Sequence, residues 1–354
     1  MLKIKNKTNR INSVRGLYDA GLIEFPDIES YRQIESRYDI GLSPNVLAAI
    51  KEKSDPVAVQ YVPSLKELEL TESDLSDPIG DNAHSPVKGI VHRYPDRALL
   101  KIADHCAVYC RYCFRREMIG KNADGLSVED LDNALEYIRS APHIWEVILT
   151  GGDPLILSPR RLKPVFKALE KIEHVKTIRI HSRIPIADPD RITEELLAVL
   201  SNVTKPLYMV VHINHAQEIT RETERAIADL RQANCVMLSQ SVLLKGVNDN
   251  VDALESLFRK LIEQGIKPYY LYHPDKANGT GHFRVPLEKG KELMKQLRGR
   301  LSGICLPDYM LDIPGGHGKV PVGHDYVGGC EDGIYRVEDY KGNMHDYKDH
   351  EGYT

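Results

Sequence analysis

Apolar positions fall into two alternating rhythms from about residue 98 onward. Short apolar runs with strand character cover 98–103, 146–150, 177–181, 207–213, 236–244 and 268–272. Between and after them lie stretches of helical period at 128–140, 164–172, 190–200, 221–232, 251–263 and 287–301. Strands this uniformly apolar are buried on both faces, and repeated strand–helix units set them parallel. The pattern predicts an α/β chain folded as a partial (β/α)6 barrel of the TIM type, whose chemistry gathers at the carboxyl ends of the strands. Residues 1–90 read instead as a helical extension, with helices over 27–38, 44–53 and 65–69 and a turn-rich stretch at 76–84. Residues 91–285 are the expected barrel core and 286–354 a C-terminal segment. That segment carries a seventh strand at 310–313 and a hairpin of 333–340 with 344–347 around Lys341-Gly342-Asn343. The charged end, 348–354, is expected to be disordered.

Composition narrows the classes. With 354 residues, 42% of them hydrophobic, the chain can bury a substantial core. Lys plus Arg number 47 against 51 Asp plus Glu, a formal charge of -4, and this balance argues against nucleic acid as the main partner. The start is polar and basic, without the apolar segment of a signal peptide. No apolar run approaches the roughly 20 residues that span a bilayer. A soluble, cytoplasmic protein without a membrane partner is expected. Of the six cysteines, Cys235, Cys305 and Cys330 are scattered and three are bunched. In a reducing compartment bunched cysteines bind metal or do catalysis.

The bunched set is Cys106-Ala-Val-Tyr-Cys110-Arg-Tyr-Cys113, directly after the first predicted barrel strand. Three thiolates at this spacing can hold three irons of a [4Fe–4S] cluster. Electron-transfer clusters use four cysteines, so a missing fourth points to an iron left open for a small molecule. A structural zinc site with a histidine as fourth ligand is the alternative. Tyr112 stands between the last two cysteines, where an aromatic ring can pack on a bound base.

Other polar motifs fall at predicted strand ends. Leu149-Thr150-Gly151-Gly152-Asp153-Pro154 ends the second strand, His212-Ile213-Asn214-His215 the fourth, and Ser239-Gln240-Ser241 lies on the fifth. Arg179 and Arg183 flank the end of the third. Buried polar groups there need partners, which a charged nucleoside supplies. Pro314-Gly315-Gly316-His317-Gly318-Lys319 places a lysine in a glycine-rich loop, and His92-Arg93-Tyr94-Pro95-Asp96-Arg97 precedes the first barrel strand. Arginine's planar fork suits phosphate.

From about 87 to 347, the chain resembles the lysine 2,3-aminomutase family of radical S-adenosylmethionine (SAM) enzymes, on the segment Cys106–Cys113 and the motifs above taken in order. The resemblance implies a radical SAM barrel carrying a [4Fe–4S] cluster on Cys106, Cys110 and Cys113. It implies SAM in contact with Tyr112, Gly151, Gly152, Asp153, His212 and Gln240. A C-terminal segment would bind pyridoxal 5′-phosphate (PLP), held as a Schiff base by Lys319, with its phosphate on Arg93, Tyr94 and Arg97 and a weaker candidate in Arg116. Arg115 is implied for the substrate carboxylate, and Asp275 and Asp312 for a terminal ammonium. The implied reaction is a 2,3-amino shift between L-lysine and L-β-lysine, started by a 5′-deoxyadenosyl radical. Acids at 275 and 312 favour a cationic side chain, lysine first, then ornithine or arginine. The implied partners are the amino acid, an electron donor such as flavodoxin or ferredoxin, and a homo-oligomeric copy.

Two departures stand out. The family's longer tail with a cysteine cluster for zinc is missing, with only Cys330 after Cys305, and this leaves the oligomeric state open. His317 stands where relatives often have glycine. Short-tailed relatives include the mutase that supplies β-lysine to elongation factor P, an alternative destination for the same chemistry. A non-catalytic iron–sulfur or zinc protein is the alternative from another class, and it leaves Lys319, Asp275 and Asp312 unexplained.

Overall fold

The computed structural model describes residues 9–349. Its centre is a nine-stranded sheet whose spatial order follows the chain: β1 (Ile90–Tyr94), β2 (Arg97–Ala103), β3 (Glu146–Gly151), β4 (Thr177–Ser182), β5 (Leu207–His212), β6 (Val236–Val242), β7 (Lys267–Tyr272), β8 (Asp308–Ile313) and β9 (Gly318–Pro321). Strands β2 to β8 run parallel, and β1 and β9 pair antiparallel at the two edges. The expected strand–helix units are present, and a seventh parallel strand extends them into a nearly closed barrel. The edge strands were not expected: β1 is short and half polar, and β9 carries the lysine loop motif.

The helices begin where side chains can satisfy their free amides. Ser127 and Asp130 form a capping box ahead of Val128–Ser140, and Thr193, Thr220 and Asn250 cap Glu194–Ser201, Arg221–Gln232 and Val251–Glu263. The helix expected from Pro164 starts earlier, at Pro159, with Pro164 inside it. Strand residues Leu100, Val147, Leu149, Ile180 and Met209 pack on helix residues Ile138, Leu162, Phe166, Leu254 and Leu261 in one core.

The N-terminal extension builds a second core from Leu17, Leu42, Leu47, Val57 and Tyr61, which also takes in Val108 of the cysteine loop. Its helices are Val14–Asp19, Ile28–Arg37, Pro44–Ala49 and Ala58–Tyr61, with a 3-10 turn at Leu65–Leu68. The helix expected to reach 53 stops at Ala49: Ile50 is extended, and the Asp55 carboxylate accepts the Lys51 (2.6 Å) and Glu52 (3.3 Å) amides that a longer helix would have used. The C-terminal hairpin forms as Ile334–Glu338 (β11) with Met344–Lys348 (β12), joined by a third strand, Val327–Glu331 (β10). Lys348 closes β12; of the end expected to be disordered, 350–354 lie outside the described residues. No described helix is long and apolar enough to cross a membrane.

Gly80 binds the extension to the lysine loop. Its φ is +68°, and a Cβ there would lie 2.6–2.7 Å from the backbone of Gly315 and Gly316. His84 Nε2 meets the Gly316 carbonyl at 3.0 Å beside it. Gly80→Ala should therefore cost about 1–3 kcal/mol through strain and forced separation, read as a lower melting temperature in circular dichroism.

Candidate active site

A cavity of about 560 Å³ opens at the carboxyl ends of the parallel strands, within the range of small-molecule sites. The site residues implied by the resemblance line it, except the weaker candidate Arg116: the three cysteines with Tyr112 and Arg115, the Gly151–Asp153 turn, His212, Gln240, Asp275, Asp312, Lys319, and Arg93, Tyr94 and Arg97.

The lysine sits on an edge strand for a structural reason. In the β8–β9 pair Asp312 lies opposite Lys319, and Nζ meets the Asp312 carboxylate at 2.6 Å. The other oxygen of Asp312 takes Arg93 Nη1 at 3.1 Å. The Lys319 amide donates to the Tyr94 hydroxyl at 2.7 Å, and the Arg97 guanidinium lies 3.9 Å above the Tyr94 ring. Arg97 is also paired with Asp96 at 2.7 Å. Gly318 has φ +95°, with its Cβ direction toward Tyr94 Oη at 3.2 Å, so a side chain there would push the two edges apart. Arg93 Nε is buried without a partner.

Asp275, just past the end of β7, has no hydrogen-bonded cation. Burial, then the Asp312 charge, push its carboxyl up to about 7, against the opposing pull of Lys319, Arg115 and Arg93. Arg115 is held by Asp81 (2.9 Å) and the Thr150 hydroxyl (3.1 Å).

In the same cavity wall, the three cysteines are free thiols. Burial raises all three, Cys113 to about 11. No three His, Cys, Asp or Glu side chains among the described residues are grouped for one metal ion. A cubane needs a different arrangement, one thiolate per iron, and three thiols of one loop facing a shared cavity fit it. The paired glycines have a packing reason: a Cβ on Gly151 would fall 2.3 Å from the Ala103 carbonyl oxygen, and one on Gly152 2.3 Å from that of His105. They let β3 lie against the backbone leading into Cys106. Asp153 is spent locally, accepting from Ser182 Oγ (2.7 Å) and from the Leu155, Arg183 and Ile184 amides.

Some candidates take scaffold positions. Arg116 is absent from the cavity wall and is buried against Glu67. Arg183 reaches Glu218 (2.5 Å), Tyr61 Oη (2.6 Å), Gln60 Oε1 (2.7 Å) and the Tyr112 hydroxyl. Arg179 pairs with Glu146. His215 caps a short turn, its Nδ1 accepting the Gln217 amide at 3.2 Å. Sequence reasoning missed His181 and Tyr272, both on the cavity wall. Burial, then Arg179, Arg115 and Lys319, hold the His181 imidazole neutral, and its Nε2 has no protein partner. The Tyr272 ring faces Lys319 Nζ at 5.8 Å. Their alternation with apolar residues along β4 and β7 was the only signal.

Residues 100–258 match the model of the radical SAM superfamily. The chain is 40% identical over 321 residues to the L-lysine 2,3-aminomutase of Clostridium subterminale, covering 90% of this chain and 77% of that one. It is 38% identical to the L-lysine 2,3-aminomutase of Acetoanaerobium sticklandii, over 98% of this chain and 84% of the relative. The chain belongs to the lysine 2,3-aminomutase family of radical SAM enzymes. It is therefore an isomerase, a radical SAM aminomutase acting on a small amino acid. Membership implies the [4Fe–4S] cluster and SAM of the superfamily and the PLP of the lysine 2,3-aminomutases. A glutamate 2,3-aminomutase from Clostridioides difficile is also similar, at 33% identity over 90% of this chain and 76% of its own length.

The Asp275 carboxyl supplies a test of the cavity's electrostatics. Its raised pKa means that the folded, ligand-free protein loses stability as pH rises from near 4 to about 7, with no further loss above. Asp275→Asn should remove that loss: no gain at pH 4, growing to about 2–4 kcal/mol at pH 8. Urea unfolding of the cofactor-stripped protein at both pH values measures it.

Proposed function

We propose that this chain is a lysine 2,3-aminomutase, interconverting L-lysine and L-β-lysine. One observation carries the choice of substrate: two carboxylates, Asp275 and Asp312, share the cavity wall with Lys319, and one of them lacks a cation. A substrate ending in an ammonium supplies that charge. A substrate ending in a carboxylate would add a third anion beside two, which is costly in a desolvated site. The glutamate-acting relative is therefore the weaker guide for this chain.

When bound, PLP supplies the π-system for the migrating nitrogen, and the cluster with SAM supplies the radical that takes the substrate's β-hydrogen. Lys319 would hold PLP, with Arg93, Tyr94 and Arg97 toward its phosphate. Cys106, Cys110 and Cys113 would hold the cluster, and Tyr112, the Gly151–Asp153 turn, His212 and Gln240 would surround SAM. Asp153 contributes by fixing the turn, since its oxygens are already engaged. Arg115, oriented by Asp81 and Thr150, binds the α-carboxylate. The substrate ε-ammonium takes over the Lys319 ammonium's position as counter-ion to Asp312 and completes Asp275. Fixing the amino acid at both ends leaves its β-carbon a narrow range of positions, and placement of this kind is the protein's main contribution to rate. A flavodoxin or ferredoxin as reductant, a homo-oligomeric state and a cytoplasmic location belong to the same reading.

An anaerobic assay with dithionite, SAM and separate portions of lysine, ornithine, arginine and glutamate should convert lysine. Conversion of glutamate but not lysine overturns the proposal. Borohydride should leave PLP covalently attached at Lys319, located by peptide mass. Asp275→Asn should raise the KM for lysine roughly tenfold or more, with PLP attachment retained.

A further inference from the structure

The loop that carries the cysteines has no helix or strand between Ala103 and the 3-10 turn at Gly120–Asn122. Its internal backbone bonds are a few turns, such as Cys113 N to the Cys110 carbonyl at 3.2 Å. Its shape comes from outside, and from one source above all. The Tyr109 amide donates to the Gly41 carbonyl (3.1 Å) and the Arg111 amide to the Gln60 carbonyl (2.8 Å), both in the N-terminal extension.

The side chains between and after the cysteines meet on one carboxylate. Glu67 is fully buried, and Arg111 grips it with both arms, Nε to Oε1 at 3.0 Å and Nη2 to Oε2 at 2.6 Å. Arg116 Nη2 donates to the same Oε2. Arg111 Nη1 continues to the Asp39 carbonyl at 2.7 Å, and Arg116 Nη1 to the Arg111 carbonyl at 3.0 Å. The Glu67 Oε1 also accepts the Ser64 amide at 2.9 Å, so the carboxylate is itself fixed. Burial would raise the Glu67 carboxyl, but Arg111 and Arg116 outweigh it and hold it at about 2.

Stability alone is a poor reason for such a cluster. Desolvating three charges is costly, and well-packed apolar residues often serve as well. What the ions provide is direction: a two-pronged guanidinium–carboxylate contact fixes orientation as well as distance. Arg111 adjoins Cys110, and Arg116 lies three residues past Cys113, so the contact brackets the third thiol and begins one residue after the second.

We propose that Glu67 is a positioning residue for the metal cluster: it locks the segment from Arg111 to Arg116 in the shape that lets Cys106, Cys110 and Cys113 share one cluster. This rests on the cluster reading of the three cysteines given above.

The test uses the whole chain reconstituted anaerobically with iron, sulfide and PLP. Glu67→Gln keeps the size of the side chain and removes the charge. It should still attach PLP at Lys319 under borohydride, which reports an intact barrel. Its cluster absorbance should fall, and a ferrous chelator should strip its iron at least tenfold faster than from the unaltered protein. Arg111→Lys keeps the charge and loses the fork, and it should show the same change to a smaller degree. Should Glu67→Gln fail to fold, Arg111→Lys decides. PLP attachment with faster iron loss supports the proposal, and wild-type iron retention overturns it. Loss of iron and PLP in parallel marks Glu67 as a general fold determinant and also overturns it. An unaltered protein that takes up no cluster would sink the functional reading itself, a result distinct from a variant that keeps its cluster.

Discussion

The barrel does not close through its backbone. Strands β1 and β9 are both edges, and side chains of β1 reach across the seam: Tyr94 to the Lys319 amide of β9, and Arg93 to Asp312 of β8, which in turn holds Lys319 of the neighbouring β9. An open edge leaves unpaired amides and carbonyls, and here one of those amides is met by a phenol. The residues that finish the fold at this seam are those the family reading assigns to cofactor and substrate. Asp312 is at the centre: its two oxygens are divided between a guanidinium and an ammonium, so the position of Lys319 and the charge balance of the cavity are set together.

The cavity's electrostatics follow from that division. Arg93, Arg97, Arg115, Arg179, Arg183 and Lys319 bring cations to a wall whose acids are Asp81, Asp96, Glu146, Asp153, Asp275 and Asp312. Most of these are matched in pairs. Among the described lining residues Asp275 has no hydrogen-bonded cation, and His181 Nε2, Arg93 Nε and Asp81 Oδ1 have no hydrogen-bond partner. A polar wall with unspent hydrogen-bonding capacity is costly in an empty site and becomes specificity when a fitting molecule arrives.

Much of this was legible in the sequence because the chemistry requires fixed spacing. The cysteine triplet and the lysine in its glycine run announce themselves locally, the apolar rhythm announces the parallel strands, and the acids at 275 and 312 were picked out only through the family resemblance. What stayed hidden depends on partners distant in the chain. Nothing near Glu67 or Gln60 signals that they meet residues 111 and 183. Arg116 looked like a phosphate ligand because an arginine beside a motif reads the same whether its charge is free or already taken. The Gly151–Gly152 pair suggested a ligand, yet the close neighbour of each is the main chain before Cys106. The edge strands escaped because pairing, not composition, makes them strands.

One stretch of the N-terminal extension touches two separate loops of the cavity wall. Gly41, Gln60 and Glu67 hold the cysteine loop, while Gly80 and His84 form the bed of the lysine loop. The strands and helices after residue 90 would look like a self-sufficient module to anyone trimming the chain to a minimal scaffold. Cut there, the excised piece would keep its sheet and lose the brace that keeps two remote loops in mutual alignment. Grafting this site onto another barrel would thus mean transplanting a segment that contains none of the residues one would set out to move.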